Sequence, residues 1–257
     1  MKRKFRVLAL IITALFSNSV DAQLFRTRDR MDNLVDFDNQ KFSWGFFLAG
    51  NYFDYKIDLN PQNGLNNKNQ NRVLSKGSAS FGAGLIGKMR VNEYIDLRLE
   101  PSLQFVQRKL TFDIKDLYPS AATTDLERDV KSTYVDVPLL VEFHGNRWYN
   151  SRPYVALGVN YLGNLQSNEN SESDNQQQIF RTKTHNFGYT GEIGIQFYFS
   201  RFKLTPAVRG TFFLNNELVS DNPGTPPYWA GAMNHLSSRA FMFVLKFENY
   251  QDRKSVV

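Results

Sequence analysis

The stretch YVDVPLLVEF, residues 134–143, is the one whose reading decides the fold. At a period of two it sets Val135, Val137, Leu139, Val141 and Phe143 on one side against Tyr134, Asp136, Pro138, Leu140 and Glu142 on the other. Such alternation marks a strand with one wholly apolar face. A soluble barrel turns that face inward to a core and a membrane barrel turns it outward to lipid, so the medium has to be read from the rest of the chain.

Working outward, the same texture recurs. FSWGFFLAGNYFDYKIDL (42–59) alternates Phe42, Trp44, Phe46, Leu48 and Tyr52 against Ser43, Gly45, Phe47, Ala49 and Asn51. Further strands are expected over about 79–91, 94–114, 153–165, 187–199, 202–214 and a last one carrying Phe241, Phe243, Leu245 and Phe247. Between them lie loops over about 60–78, 115–131, 166–186 and 215–238, and short turns at 92–93, 144–151 and 200–201. Long and short connections therefore alternate, which places all turns at one end and all loops at the other. The expectation is an all-β fold: an eight-stranded antiparallel up-and-down transmembrane β-barrel with three short periplasmic turns, four long extracellular loops and both termini periplasmic.

Three features favour lipid outside. The polar face carries Lys88, Arg90, Asp96, Arg98, Glu100, Asp136, Glu142, Glu192, Lys203 and Arg209, interspersed with small residues such as Gly82, Gly84, Ala156, Gly158 and Gly194; a crowded barrel interior suits long charged groups beside small ones. Those charges are expected to pair across the lumen. Aromatic residues gather near strand ends: Trp44, Tyr94, Trp148, Tyr149, Phe199, Phe202 and Phe247 toward the turns, Tyr52, Tyr55, Phe112, Tyr134, Phe187 and Phe212 toward the loops, as in two interfacial girdles. The strands also reach the roughly 9–11 residues that a tilted span requires. Pro101, Pro138 and Pro206 run against the assignment, since a closed ladder has no free edge to hide a missing N–H, and bulges or local breaks are expected there.

Composition agrees with export. The start MKRKFRVLALIITALFSNSVDAQ has Lys2, Arg3, Lys4 and Arg6, an apolar run and the small-residue exit Val20-Asp21-Ala22, which reads as a signal peptide over 1–22. Its removal takes away four positive charges and one negative, so the formal +6 falls to +3, and no basic run interleaved with aromatics argues for nucleic acid. The chain has no cysteine, so an exported fold must rely on ladders and packing. Residues 23–41 read as a polar periplasmic lead-in, 42–248 as the barrel and 249–257 as a polar tail.

Candidate chemistry is sparse. His144, His185 and His235 lie far apart, and no metal-ligand spacing or phosphate loop occurs, so no cofactor, metal or small-molecule substrate is expected. A barrel enzyme could use His235 with Asp221 and Ser237 or Ser238, residue types common in any polar loop. In SDNPGTPPYWAGAMNHLSS, Tyr228 and Trp229 on a proline-stiffened backbone are candidate partner contacts; the alternative is that they fold back and plug the mouth.

DVKSTYVDVPLLVEFHGNRWYNSRPYVALGVNYLGNL (129–165), GEIGIQFYFSRFKLTPAVRGTFFLNNELV (191–219) and GFFLAGNYFDYKIDL (45–59) together resemble the PorT family of outer-membrane barrels from Bacteroidota. Lys131-Ser132-Thr133 before the 134–140 core and Arg152-Pro153-Tyr154 after it carry the more specific part of the likeness; Ala207 departs from it, where a carboxylate is expected after the proline. The resemblance implies a non-enzymatic component of type IX secretion and gliding motility that sits in outer-membrane lipid and contacts other secretion components. The runner-up is a surface-interaction or adhesion barrel unrelated to secretion, and the third reading is the small barrel enzyme.

Overall fold

The computed structural model describes residues 33–34, 37–60, 72–113 and 126–249. The expected signal peptide, most of the expected lead-in and the tail beyond Asn249 lie outside them. Ten strands form one antiparallel sheet: β1 (Phe42–Leu59), β2 (Arg72–Gly77), β3 (Ala79–Arg90), β4 (Ile95–Leu99), β5 (Ser102–Asp113), β6 (Glu127–His144), β7 (Ser151–Asn164), β8 (His185–Tyr198), β9 (Phe202–Phe213) and β10 (Met233–Asn249). Each strand from β6 to β10 pairs with its neighbours in the chain, and β1 pairs with both β10 and β3, which closes the ring. Because β2 continues β3 and β5 continues β4, the ten strands make eight staves. Closure gives every central stave two neighbours, the condition for backbone polar groups to survive in hydrocarbon. Among the described residues the helices are three-residue 3-10 turns, and none is long and apolar enough to cross a membrane.

The apolar face points outward. Phe81 and Leu85 on β3, Leu157 and Val159 on β7 and Ile193 on β8 are each about three-fifths exposed, while Glu100, Glu142 and Arg209 are sealed inside. In the opening stretch, Leu139 and Phe143 are exposed and Tyr134, Asp136, Leu140 and Glu142 buried. A surface of phenylalanine and leucine around a charged interior is stable only if hydrocarbon covers it.

The prolines are accommodated with little disturbance. Pro101 interrupts its stave between Leu99 and Ser102, yet the register with β6 is the same on both sides, Leu99 facing Leu139 and Ser102 facing Asp136. Leu85 N still donates to the Pro101 carbonyl at 2.9 Å, and Glu100 N to that of Pro138 at 3.2 Å. Pro101 and Pro138 thus each lose one bond of a reciprocal pair and keep the other, and no bulge forms at either. At Pro206 the β8–β9 pairing does lapse, between Gly194↔Ala207 and Phe197↔Leu204.

Three sequence expectations change. Residues 72–77, expected in a loop, form β2: Gly77 faces Arg108 whereas Gly82 faces Gln104, a one-residue shift that places a bulge at Ser78 and reverses which residues point inward, so Val73 is buried and Leu74 exposed. β6 starts at Glu127 and β10 at Met233, earlier than the sequence suggests; in β6 exposed Asp129 and Lys131 alternate with buried Arg128, Val130 and Ser132, a polar pattern that passes for loop. Tyr55, Phe112 and Tyr134 belong to no girdle; they are buried in the lumen, Tyr134 stacked on Phe53 at 5.7 Å. The aromatics near the turns, Trp44, Tyr94, Trp148, Tyr149, Phe199 and Phe202, do face outward.

Candidate functional site

The lumen is built in layers. At mid-height Arg98 of β4, Arg209 of β9 and Lys246 of β10 converge on Glu100, between β4 and β5, Glu142 of β6 and Glu192 of β8. Arg98 Nη2 donates to Glu192 Oε1 at 2.9 Å, Arg209 Nε to Glu192 Oε2 at 2.7 Å and Lys246 Nζ to Glu100 Oε1 at 3.0 Å. Tyr154 Oη donates to Glu192 Oε1 at 2.7 Å. Three cations meet three carboxylates, all nearly sealed from solvent, so the layer is neutral without an added ion.

Toward the turns a second layer pairs Lys88 with Asp96 at 3.2 Å and Lys203 with Glu248 at 2.8 Å, while Lys88 also lies 3.7 Å from Glu248. His144, placed by sequence in a turn, is the last residue of β6 and lies 3.3 Å from Asp96. Ligand atoms of Asp96, Glu142 and His144 lie within 4.8 Å of one another, close enough to share a metal ion. Lys88 on Asp96 and Arg98 on Glu142 already supply the positive charge there, so the donor set fits an ionic network better than a cation site.

The lead-in closes this end. Phe37 is buried beneath Lys203, whose Nζ stands 4.7 Å from the ring centre. Asp38 accepts from Tyr198 Oη at 2.8 Å and pairs with Arg152 at 3.1 Å, and Arg147 reaches back to the carbonyl of Asn33. Arg152 in turn holds Gln196, which donates to Glu142, so the stopper and the central layer form one chain of polar contacts.

The opposite mouth is closed by loops. Arg108 lies 3.7 Å from the Tyr55 ring centre and donates to Ser238 Oγ at 2.8 Å, and Ser238 donates to Glu217. Burial pushes the Glu217 carboxyl up. Above it Phe112, Leu126, Phe180, Trp229 and Leu236 form an apolar cluster. Asp174 ties the two loops together, accepting from Asn222 N and Gln176 N and from Thr225 Oγ1 at 2.5 Å.

Of the residues singled out in the sequence, Lys88, Asp96, Arg98, Glu100, Glu142, Glu192, Lys203 and Arg209 come together in these layers. Asp136 stands apart with Asn160 at 3.1 Å, and Arg90 leaves the lumen for the carbonyl of Asp38 and the Asn39 side chain. Trp229 is buried under the cap and Tyr228 half-buried beside it, their rings 4.5 Å apart; the fold-back arrangement is the one adopted. Asp221 is engaged by Asn175 and by Ala230 N, and Ser238 by Glu217 and Arg108, while His235 Nδ1 makes no hydrogen bond. Lys246, Glu248 and Arg152 were missed; alternation from Phe243 would have put Lys246 and Glu248 inside.

A closed ring of eight antiparallel staves, greasy outside and ionic within, defines an integral outer-membrane β-barrel. The chain belongs to the outer membrane protein beta-barrel domain family, whose profile matches residues 22–219. Among solved structures it is similar to neisserial surface protein A, with 10% identity over 82% of this chain and 99% of that one at a TM-score of 0.42. It is likewise similar to OprG from Pseudomonas aeruginosa, with 14% identity over 81% and 98% at 0.41, and to AlkL in lipid bilayers, with 10% identity over 84% and 92% at 0.45. No curated protein matches the sequence.

Proposed function

We propose that this barrel is a non-enzymatic component required for protein export by the type IX secretion system and the gliding motility linked to it. The observation that carries the reading is the string from Lys131 to Tyr154, where Lys131-Ser132-Thr133, the 134–140 core and Arg152-Pro153-Tyr154 follow the PorT pattern. The lumen is consistent with it: a barrel filled with paired charges and covered at both mouths offers no conduit, so a role in export would be that of a structural or docking part. Contact with other secretion components would come from the turns or the lead-in, where Trp148 and Tyr149 are exposed beside the docked Asn33.

Deletion of the gene should leave proteins bearing the type IX C-terminal signal in the periplasm, and reintroducing the gene should restore their release; unchanged export in the deletion strain would eliminate the role. Crosslinking from Trp148 and from positions in 23–41 identifies the contacted component. The cap of loops tied by Asp174 favours a second reading, a surface-interaction barrel, in which deletion would alter cell-surface binding and leave export intact.

A further inference from the structure

The outer wall is not uniformly convex. Over β7, β8 and β9 it carries a depression of about 640 Å³ with an almost wholly apolar lining. Its floor follows from the register. Phe143, Val155, Ile193, Val208 and Phe243 are successive cross-strand partners, so one row around the barrel has three short side chains between two phenylalanines. In the adjacent row toward the turns, Ile195 faces Pro153 on one side and meets Pro206 on the other, where the ladder lapses. Gly194, between the rows, draws the wall inward: a Cβ there would lie 2.7 Å from the Pro206 carbonyl and 2.8 Å from the Tyr154 ring. Tyr154 and Ala207, both buried, form the bottom.

Toward the loops the lining of the depression ends at the row of Val155, Ile193 and Val208. In the next row Gly191 pairs with Gly210 on the outward face, where the Phe212 ring leans over Gly210 and Leu157 flanks Gly191, so side chains cover the wall there. Stacked aromatics close both ends, Tyr189 on Phe212 at 5.4 Å and Phe199 on Phe202 at 5.0 Å. On β8 the floor spans the rows of Ile193 and Ile195, roughly 7 Å apart at strand rise. The depression is continuous with the hydrocarbon-facing belt, and with Gly145, Pro153, Ile195 and Pro206 in its lining it lies toward the short turns, which such barrels direct to the periplasm.

From this geometry we infer that the depression over β7–β9 is a binding site for one acyl chain of an inner-leaflet phospholipid, held more firmly than the lipid around the rest of the wall. A flexible acyl chain can fill an apolar depression whose floor a flat protein face cannot reach, and the side of the short turns is the inner leaflet, which holds phospholipid rather than lipid A. The site depends on the barrel being in a membrane and is independent of any role in secretion, so an unchanged export phenotype leaves it standing.

The test uses the full mature barrel in liposomes of phosphatidylethanolamine and phosphatidylglycerol with a phospholipid spin-labelled near its chain end. Wild type should show a motionally restricted lipid component, and native mass spectrometry after detergent washing should find one phospholipid per barrel. Val208→Trp, which fills the floor, should lose both signals, whereas Phe81→Trp on the opposite wall should keep them. Ile193→Phe serves where Val208→Trp does not reach the heat-modifiable folded form. No retained phospholipid in wild type, equal retention in the filled variants, retention of lipopolysaccharide instead, or a dimer abolished by Val208→Trp would each overturn the inference.

Discussion

Glu192 shows how much one buried side chain supports. Its two oxygens receive Arg98, Arg209, Lys246 and the Tyr154 hydroxyl, from four different strands. Glu192→Ala leaves more positive than negative charge in a sealed layer, and removing one partner of a buried ion pair costs about 3–5 kcal/mol. The expected outcome is a lower urea midpoint for unfolding from liposomes, with Glu192→Gln falling between the variant and wild type because an amide still accepts hydrogen bonds. Most of this layer was legible, since alternation alone places Arg98, Glu142, Glu192 and Arg209 on one face. Lys246 and Glu248 were lost because β10 was read for its phenylalanines, and the inward face there opens with Ala240, Met242 and Val244 before its charges. Arg90 has the right parity but sits beyond the last full layer, where the lead-in captures it, and no periodicity announces that.

At the scale of elements, two segments with no regular structure of note do the closing. The lead-in is held at one mouth by Asp38, which accepts from Tyr198 and pairs with Arg152. Asp38→Ala should release it, seen as faster modification of Lys203 by amine reagents, with the strength of the barrel ladder unchanged. At the other mouth Asp174 joins loops 165–184 and 214–232. Burial raises its pKa, but the hydrogen bonds from Thr225, Asn222 and Gln176 outweigh that and hold the carboxyl below the ordinary 3.8. A depressed folded-state value means that the tie stabilises the cap above about pH 3.8 and that this contribution is lost as pH falls through the lowered value. Burial raises Asp221 and Glu217, so their contribution has the opposite sense, fullest at low pH and declining as pH rises. Amide exchange across the cap at neutral pH should therefore be faster in Asp174→Ala than in wild type, and the gap should close on acidification. Contacts of this kind join residues some fifty positions apart and leave no pattern in sequence. The bulge at Ser78 was hidden for a different reason: one extra residue reverses inside and outside, so LeuSerLys (74–76) reads as polar loop.

For the whole molecule, the alternation of long and short connections was enough to count eight staves, because each short turn forces an antiparallel neighbour and each outward face must meet hydrocarbon. What lies inside such a ring decides whether it conducts. Here the cross-section at mid-height is occupied by three cations locked to three carboxylates, with the lead-in below and the apolar cluster of the cap above. An ion crossing this layer would have to break charge-assisted bonds and leave buried charges unpaired, a cost of several kcal/mol. Purified barrel in planar bilayers should therefore show negligible conductance. Asp38→Ala, which opens only the periplasmic stopper, should remain as silent as wild type, because the central layer is untouched. Large stable channels from wild type would refute the sealed lumen. Channels appearing only in Asp38→Ala would show instead that the lead-in is the barrier and that the ionic layer yields once it is gone.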